Sequence, residues 1–159
     1  MKGGLIAFVI LVAGCRSSGD ATTTPTATPD ASGVVATLTS ASSDYRAAFG
    51  SDGRIAAPMI PLVLVVKNGG QTPWKCDGAI SVLADGERGK SSATRSFLTT
   101  LSPCELAPGA EHREELEAGE FLTEVSGRHV KGDRLAVRAS LAPSPASEPV
   151  AIDVFVPEG

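Results

Sequence analysis

The sequence predicts an all-β fold, an antiparallel β-sandwich of about seven or eight strands over residues 34–159. Three observations predict it. From Val34 onward, apolar residues recur with a period of two in short runs. Those runs are separated by clusters of Gly, Pro, Asn, Asp and Ser, the residues that tight turns require. No stretch sustains a helical period long enough to supply crossover helices, which excludes parallel α/β folds. The 159 residues suit one domain with an appendage, and an apolar content of 42% suffices for a core although aromatics are only 4%.

Val34, Ala36 and Leu38 alternate with Thr37 and Thr39, giving a half-buried first strand with one polar face. Tyr45, Ala47 and Phe49 repeat the period before Gly50-Ser51-Asp52-Gly53, whose composition predicts a hairpin turn. The run from Ile60 to Val66 is apolar on both faces and reads as a central strand, with Pro58 and Pro61 confined to its entry because neither can donate to a ladder. Asn68-Gly69-Gly70 ends it. Ile80 to Leu83 and Phe97 to Leu101 supply two more strands. Within Glu111 to Val125, a strand near Arg113 to Leu116 precedes a short helix that Gly119 and Gly127 limit to a turn or two. Leu135, Val137, Ala139 and Leu141 alternate with Arg134, Arg138 and Ser140. Val150, Ile152, Val154 and Val156 close the series with the same period.

Ahead of these strands lies a different kind of segment. Lys2 supplies one positive charge, Leu5 to Ala13 is an unbroken apolar run of nine, and Val12-Ala13-Gly14-Cys15 completes it. Nine helical residues span about 14 Å at roughly 1.5 Å each, against roughly 30 Å of hydrocarbon, so the run is the core of an export signal and not a membrane span. These residues resemble the signal peptide and lipobox of bacterial lipoproteins. The resemblance implies removal of residues 1–14, attachment of a diacylglycerol to the Cys15 sulfur, and acylation of the new N-terminus. The membrane is then a partner through acyl chains on Cys15, since two or three chains at about 0.8 kcal/mol per buried methylene exceed what stable anchoring needs. Arg16 stands where the retention aspartate of the best-known sorting rule would be. The expected location is the cell membrane or outer membrane, facing periplasm or exterior.

Residues 16–33 form the expected tether: fifteen of the eighteen are Ser, Thr, Pro, Ala or Gly, and none is a large apolar residue. The expected domains are residues 1–14 as signal peptide, 15–33 as lipidated cysteine and linker, and 34–159 as sandwich. With Cys15 consumed by lipid, Cys76 and Cys104 remain as an even pair in an oxidising compartment, which predicts a disulfide. A competing set is a metal site of Cys76, Cys104, His112 and His129. Its separations of 28, 8 and 17 match no compact zinc spacing.

A second resemblance concerns the sandwich. The strand Leu62 to Val66 ending in Asn68-Gly69-Gly70, then Leu106-Ala107-Pro108-Gly109 before a charged strand, then Gly132-Asp133 before Leu135, resembles bacterial immunoglobulin-like modules, the bacterial intracellular proteinase inhibitor type among them. That resemblance implies an immunoglobulin-like fold.

No catalytic motif occurs in the sequence, neither a G-x-S-x-G elbow, an H-E-x-x-H pair nor a phosphate-binding glycine loop. His112 and His129 stand among polar neighbours and read as solvated. Glu111, Glu114, Glu115, Glu117 and Glu120 read as an exposed acidic face, and Trp74 as packing over the disulfide. A net charge of -4 disfavours nucleic acid. The expectation is therefore a lipid-anchored, non-enzymatic binding or structural module of the cell envelope, with an envelope protein partner, no nucleic acid, no metal and no cofactor. The alternative is an envelope protease inhibitor.

Overall fold

The computed structural model describes residues 32–127 and 132–157. The expectations on residues 1–14, on Cys15, on the linker up to residue 31 and on His129 lie outside the described residues. In chain order the elements are β1 (Val34–Ser40), β2 (Asp44–Arg46), β3 (Ala48–Phe49), β4 (Ile55–Ala56), β5 (Pro61–Asn68), β6 (Trp74–Lys75), β7 (Ala79–Gly86), β8 (Ser92–Leu98), β9 (Glu105–Leu106), β10 (Glu111–Glu117), α1 (Gly119–Ser126), β11 (Asp133–Leu141) and β12 (Val150–Phe155).

These strands make an immunoglobulin-like sandwich of two principal sheets, one ordered β1-β5-β10 and the other β2-β12-β11-β7-β8. The period of two does what the sequence predicts. Val34, Ala36 and Leu38 face inward from β1, Leu62, Leu64 and Val66 from β5, and Leu135, Val137, Ala139 and Leu141 from β11, all at most 1% exposed. Ile80 and Val82 of β7 and Ile152 and Val154 of β12 complete the facing layer. Each fully buried side chain of this kind is stabilised by roughly 1.5–3 kcal/mol of transfer free energy, so the apolar alternation is itself the force that sets register.

Four details depart from the sequence reading. The fifth strand in order of sequence prediction, Phe97 to Leu101, lies earlier: β8 spans Ser92–Leu98 and pairs Phe97 with Ile80. Thr99 and Thr100 leave it to hydrogen-bond elsewhere. The alternation Tyr45-Ala47-Phe49 is broken at Ala47, whose N–H donates to Phe155 across 2.8 Å. β2 pairs parallel to β12, because the chain crosses between sheets after β1 and runs in the same direction as the last strand. Finally, the two-residue strands β6 and β9 pair with each other beside the disulfide, too short to show any period in sequence.

The helix is short for a steric reason. A Cβ at Gly119 would stand 1.8 Å from the Pro58 carbonyl oxygen, so only glycine lets α1 begin this close to the chain entering β5. At the other end Gly127, with φ of 73°, stops the helix in a conformation that L-residues avoid. Between them Phe121, Leu122 and Val125 are buried against the sandwich.

Candidate functional site

The strand β10 reads Glu-His-Arg-Glu-Glu-Leu-Glu, and its alternation puts His112, Glu114 and Leu116 on the inward face. Glu114 is 3% exposed, in contrast to the solvated acidic face expected of this stretch. Burying a carboxylate is costly unless its oxygens are satisfied, and here they are. Thr99 and Thr100, at the point where the chain leaves β8, donate to it through both hydroxyls, and the Thr100 backbone N–H adds another bond. His112 Nε2 lies 2.7 Å from Glu114 Oε1. An ionised carboxylate only accepts, so this nitrogen carries the proton. Burial pushes the Glu114 carboxyl up, but the bonds from Thr99, His112 and Thr100 outweigh it and hold the group below the ordinary carboxylate value.

β10 is one edge of the smaller sheet and β8 one edge of the larger, so this cluster ties the two sheets together along one open side of the sandwich. All donors converge on one carboxylate. The imidazole is not interposed between hydroxyl and carboxylate, the order that activation of a hydroxyl nucleophile uses. The cluster is a stitch between β10 and the segment that follows β8. His112, expected in solvent, belongs to it, with its side chain 17% exposed. Glu111 and Glu115 do face solvent, while the exposed Glu117 accepts the N–H groups of Ile60 at 2.9 Å and Gly119 at 2.7 Å. The signal that could have revealed Glu114 is Leu116: an apolar residue two positions on marks the inward face.

Two further buried polar groups fasten the loops. Asn68, fully buried, donates through Nδ2 to the carbonyls of Thr72 and Leu106, each at 2.9 Å, and accepts from Gly70 N–H at 3.0 Å. Its own backbone N–H and carbonyl join Ala110 and Gly109. The Asn-Gly-Gly and Leu-Ala-Pro-Gly segments singled out in sequence therefore meet at one side chain. Asp133, 1% exposed, accepts Arg88 N–H at 2.7 Å and Gly89 N–H at 3.0 Å, closing the turn between β7 and β8.

Cys76 and Cys104 are bonded to each other, with Cα atoms 5.2 Å apart. The Cys76 N–H donates to the Cys104 carbonyl at 3.0 Å, extending the β6–β9 ladder. Trp74, on β6, is 8% exposed and joins the core against which Cys76 packs. With these sulfurs joined and His112 on Glu114, the structure does not gather Cys76, Cys104 and His112 as ligands. Among the described residues no group of three or more His, Cys, Asp or Glu is placed to hold a metal, and no helix is long and apolar enough to cross a membrane. A cleft of about 390 Å³ beside α1 is lined by Ile55, Ala57, Glu120, Thr123 and Glu124 among others.

No family model matches the chain, and no curated protein matches it. The matching solved structures include Pseudomonas fluorescens alkylpurine DNA glycosylase AlkC bound to DNA containing an abasic site analog, with 14% identity and a TM-score of 0.49. The match covers 77% of this chain and 30% of the glycosylase chain. This finding corrects the expectation of a non-enzymatic envelope module, or of its inhibitor alternative, with a protein partner and no nucleic acid: the similar protein is an enzyme on DNA. The physical reason lies in what was read. Net charge averages over a surface, and missing linear motifs say nothing of sites assembled from distant residues. The exclusions of enzyme and of nucleic acid are withdrawn, and a likeness at this level assigns neither to this chain.

Proposed function

We propose that the chain is a bacterial lipoprotein, exported, lipidated on Cys15, and held at a membrane surface with its sandwich outward. The observation that carries this reading is the apolar run of nine ending in Val12-Ala13-Gly14-Cys15, followed by a polar tether. The bonded pair Cys76 and Cys104 supports it, because such a bond persists in an oxidising, extracytoplasmic compartment. The reading needs Cys15 to be the anchor and the remaining cysteines to be structural. Replacing Cys15 by Ala tests it: detergent phase partitioning should move the protein from the detergent to the aqueous phase, or show an unprocessed precursor. Equal recovery of wild type and Cys15→Ala in the detergent phase contradicts the reading.

A further inference from the structure

Asn68 is the only asparagine in the chain, and a glycine follows it. Asparagine is a chemically labile residue, and most so before glycine, where no Cβ hinders the backbone nitrogen that attacks the carboxamide. In that reaction the Gly69 nitrogen bonds to Asn68 Cγ, the Cγ–Nδ2 bond breaks, and the displaced amino group leaves as ammonia with the proton that the Gly69 nitrogen gives up. Water then opens the cyclic imide at either carbonyl and leaves aspartate or isoaspartate. Asparagine and water are consumed, the acid and ammonia are formed, and nothing is oxidised or reduced.

The fold blocks each requirement of that chemistry. Asn68 is fully buried, which keeps water and base from it. The Gly69 N–H is committed to the Gly33 carbonyl at 2.9 Å. The carboxamide is held at both ends: Oδ1 accepts the Gly70 N–H at 3.0 Å, and Nδ2 donates to the Thr72 and Leu106 carbonyls, each at 2.9 Å. A Cβ at position 69 would stand 2.9 Å from the Gly33 carbonyl oxygen, so the close approach of the chain entering β1 favours glycine there. The same glycine makes Asn68 labile once that approach is lost. The two carbonyls that hold Nδ2 lie on segments joined by the disulfide: Thr72 precedes Trp74, Trp74 pairs with Leu106, and Cys76 is bonded to Cys104.

We propose that Asn68 is a modification site, a deamidation site gated by the fold and guarded by the bond between Cys76 and Cys104. The closed chain keeps its amide, and a chain that has lost the disulfide converts it. The product does not restore the native contacts. An ionised carboxylate only accepts hydrogen bonds, so an acid at position 68 aims negative oxygen at the Thr72 and Leu106 carbonyls and donates to neither. A buried charge facing acceptors is the costly arrangement, and isoaspartate also lengthens the backbone at the end of β5. Conversion is therefore one-way: opening permits deamidation, and deamidation favours the open chain.

The full-length chain tests this whatever the state of Cys15. It is kept in mildly alkaline buffer with the disulfide intact, with the disulfide reduced by a dithiol, and in denaturant, and the conversion of amide to acid is followed by mass. Asp52-Gly53, Asp77-Gly78 and Asp85-Gly86 form the same imide without a change of mass, and fragment masses separate residue 68 from Gln71. With the bond intact, conversion should be at least about a hundredfold slower than in denaturant, because only the open fraction reacts. Reduction should speed it at least about tenfold over the intact protein. Asn68→Asp, which installs the product, should lower the denaturant midpoint or fail to fold. Conversion of the intact protein at the rate of the denatured chain overturns the proposal, as does a rate that reduction leaves unchanged. An Asn68→Asp chain with the wild-type midpoint removes the one-way step.

Discussion

Glu114 shows how a single buried charge is made tolerable. Its carboxylate, 3% exposed, is satisfied by Thr99, Thr100 and His112. A carboxyl held below its ordinary value in the folded state contributes stability that is fully present above the unfolded value. That stability is lost as pH falls through the folded one. Wild-type stability should therefore drop on acidification through the acidic range, below about pH 4.3, the ordinary glutamate value. Glu114→Gln should lose about 1–3 kcal/mol near neutral pH and show a flatter acid limb in denaturant titrations. A variant as stable as wild type with an unchanged acid limb would refute the stitch. Gly119 is the other residue whose chemistry is steric necessity. Gly119→Ala drives a methyl onto the Pro58 carbonyl and should cost roughly 3 kcal/mol or more by thermal unfolding, because backbone and not a flexible side chain must give way.

At the scale of elements, the alternation of Val34 to Leu38, Leu62 to Val66 and Leu135 to Leu141 was legible because one face of each strand is fully buried and the pleat has a period of two. The position of β8 was not. Its residues are exposed on both faces except Phe97, so no alternation marks it, and the apolar Leu98 and Leu101 drew the prediction toward the loop. Glu114 was hidden by the charged residues around it in Glu111 to Glu117, where polarity reads as exposure unless partners are known. Two of those partners, Thr99 and Thr100, lie just past the end of β8, a strand of the other sheet. The turn between β7 and β8 depends likewise on Asp133, forty-four and forty-five residues away from the N–H groups it accepts. Asp133→Ala should destabilise the fold by about 1–3 kcal/mol and speed hydrogen exchange at Arg88 and Gly89 more than in β11. Uniform protection across the turn in that variant would remove Asp133 from this role.

For the whole molecule, an aromatic-poor core is reinforced by fastenings that link segments distant in sequence. Asn68 binds two loops, and the bond between Cys76 and Cys104 closes a separation of 28 residues. On the chain-entropy account that closure contributes roughly 3–4 kcal/mol, so reduction should lower the melting temperature by roughly 10–20 °C, read by calorimetry with and without reductant. The disulfide pairing was legible from cysteine number alone once Cys15 is set apart, whereas the buried amide was visible only as turn chemistry. The placement of the molecule in the cell rests on that same separation of Cys15 from the other two. Mass analysis of the N-terminal peptide of the mature, membrane-associated protein tests it most directly. The mature chain should begin at Cys15 and carry the mass of a diacylglycerol on its sulfur. A mature chain that retains residues before Cys15, or begins with an unmodified Cys15, would contradict it.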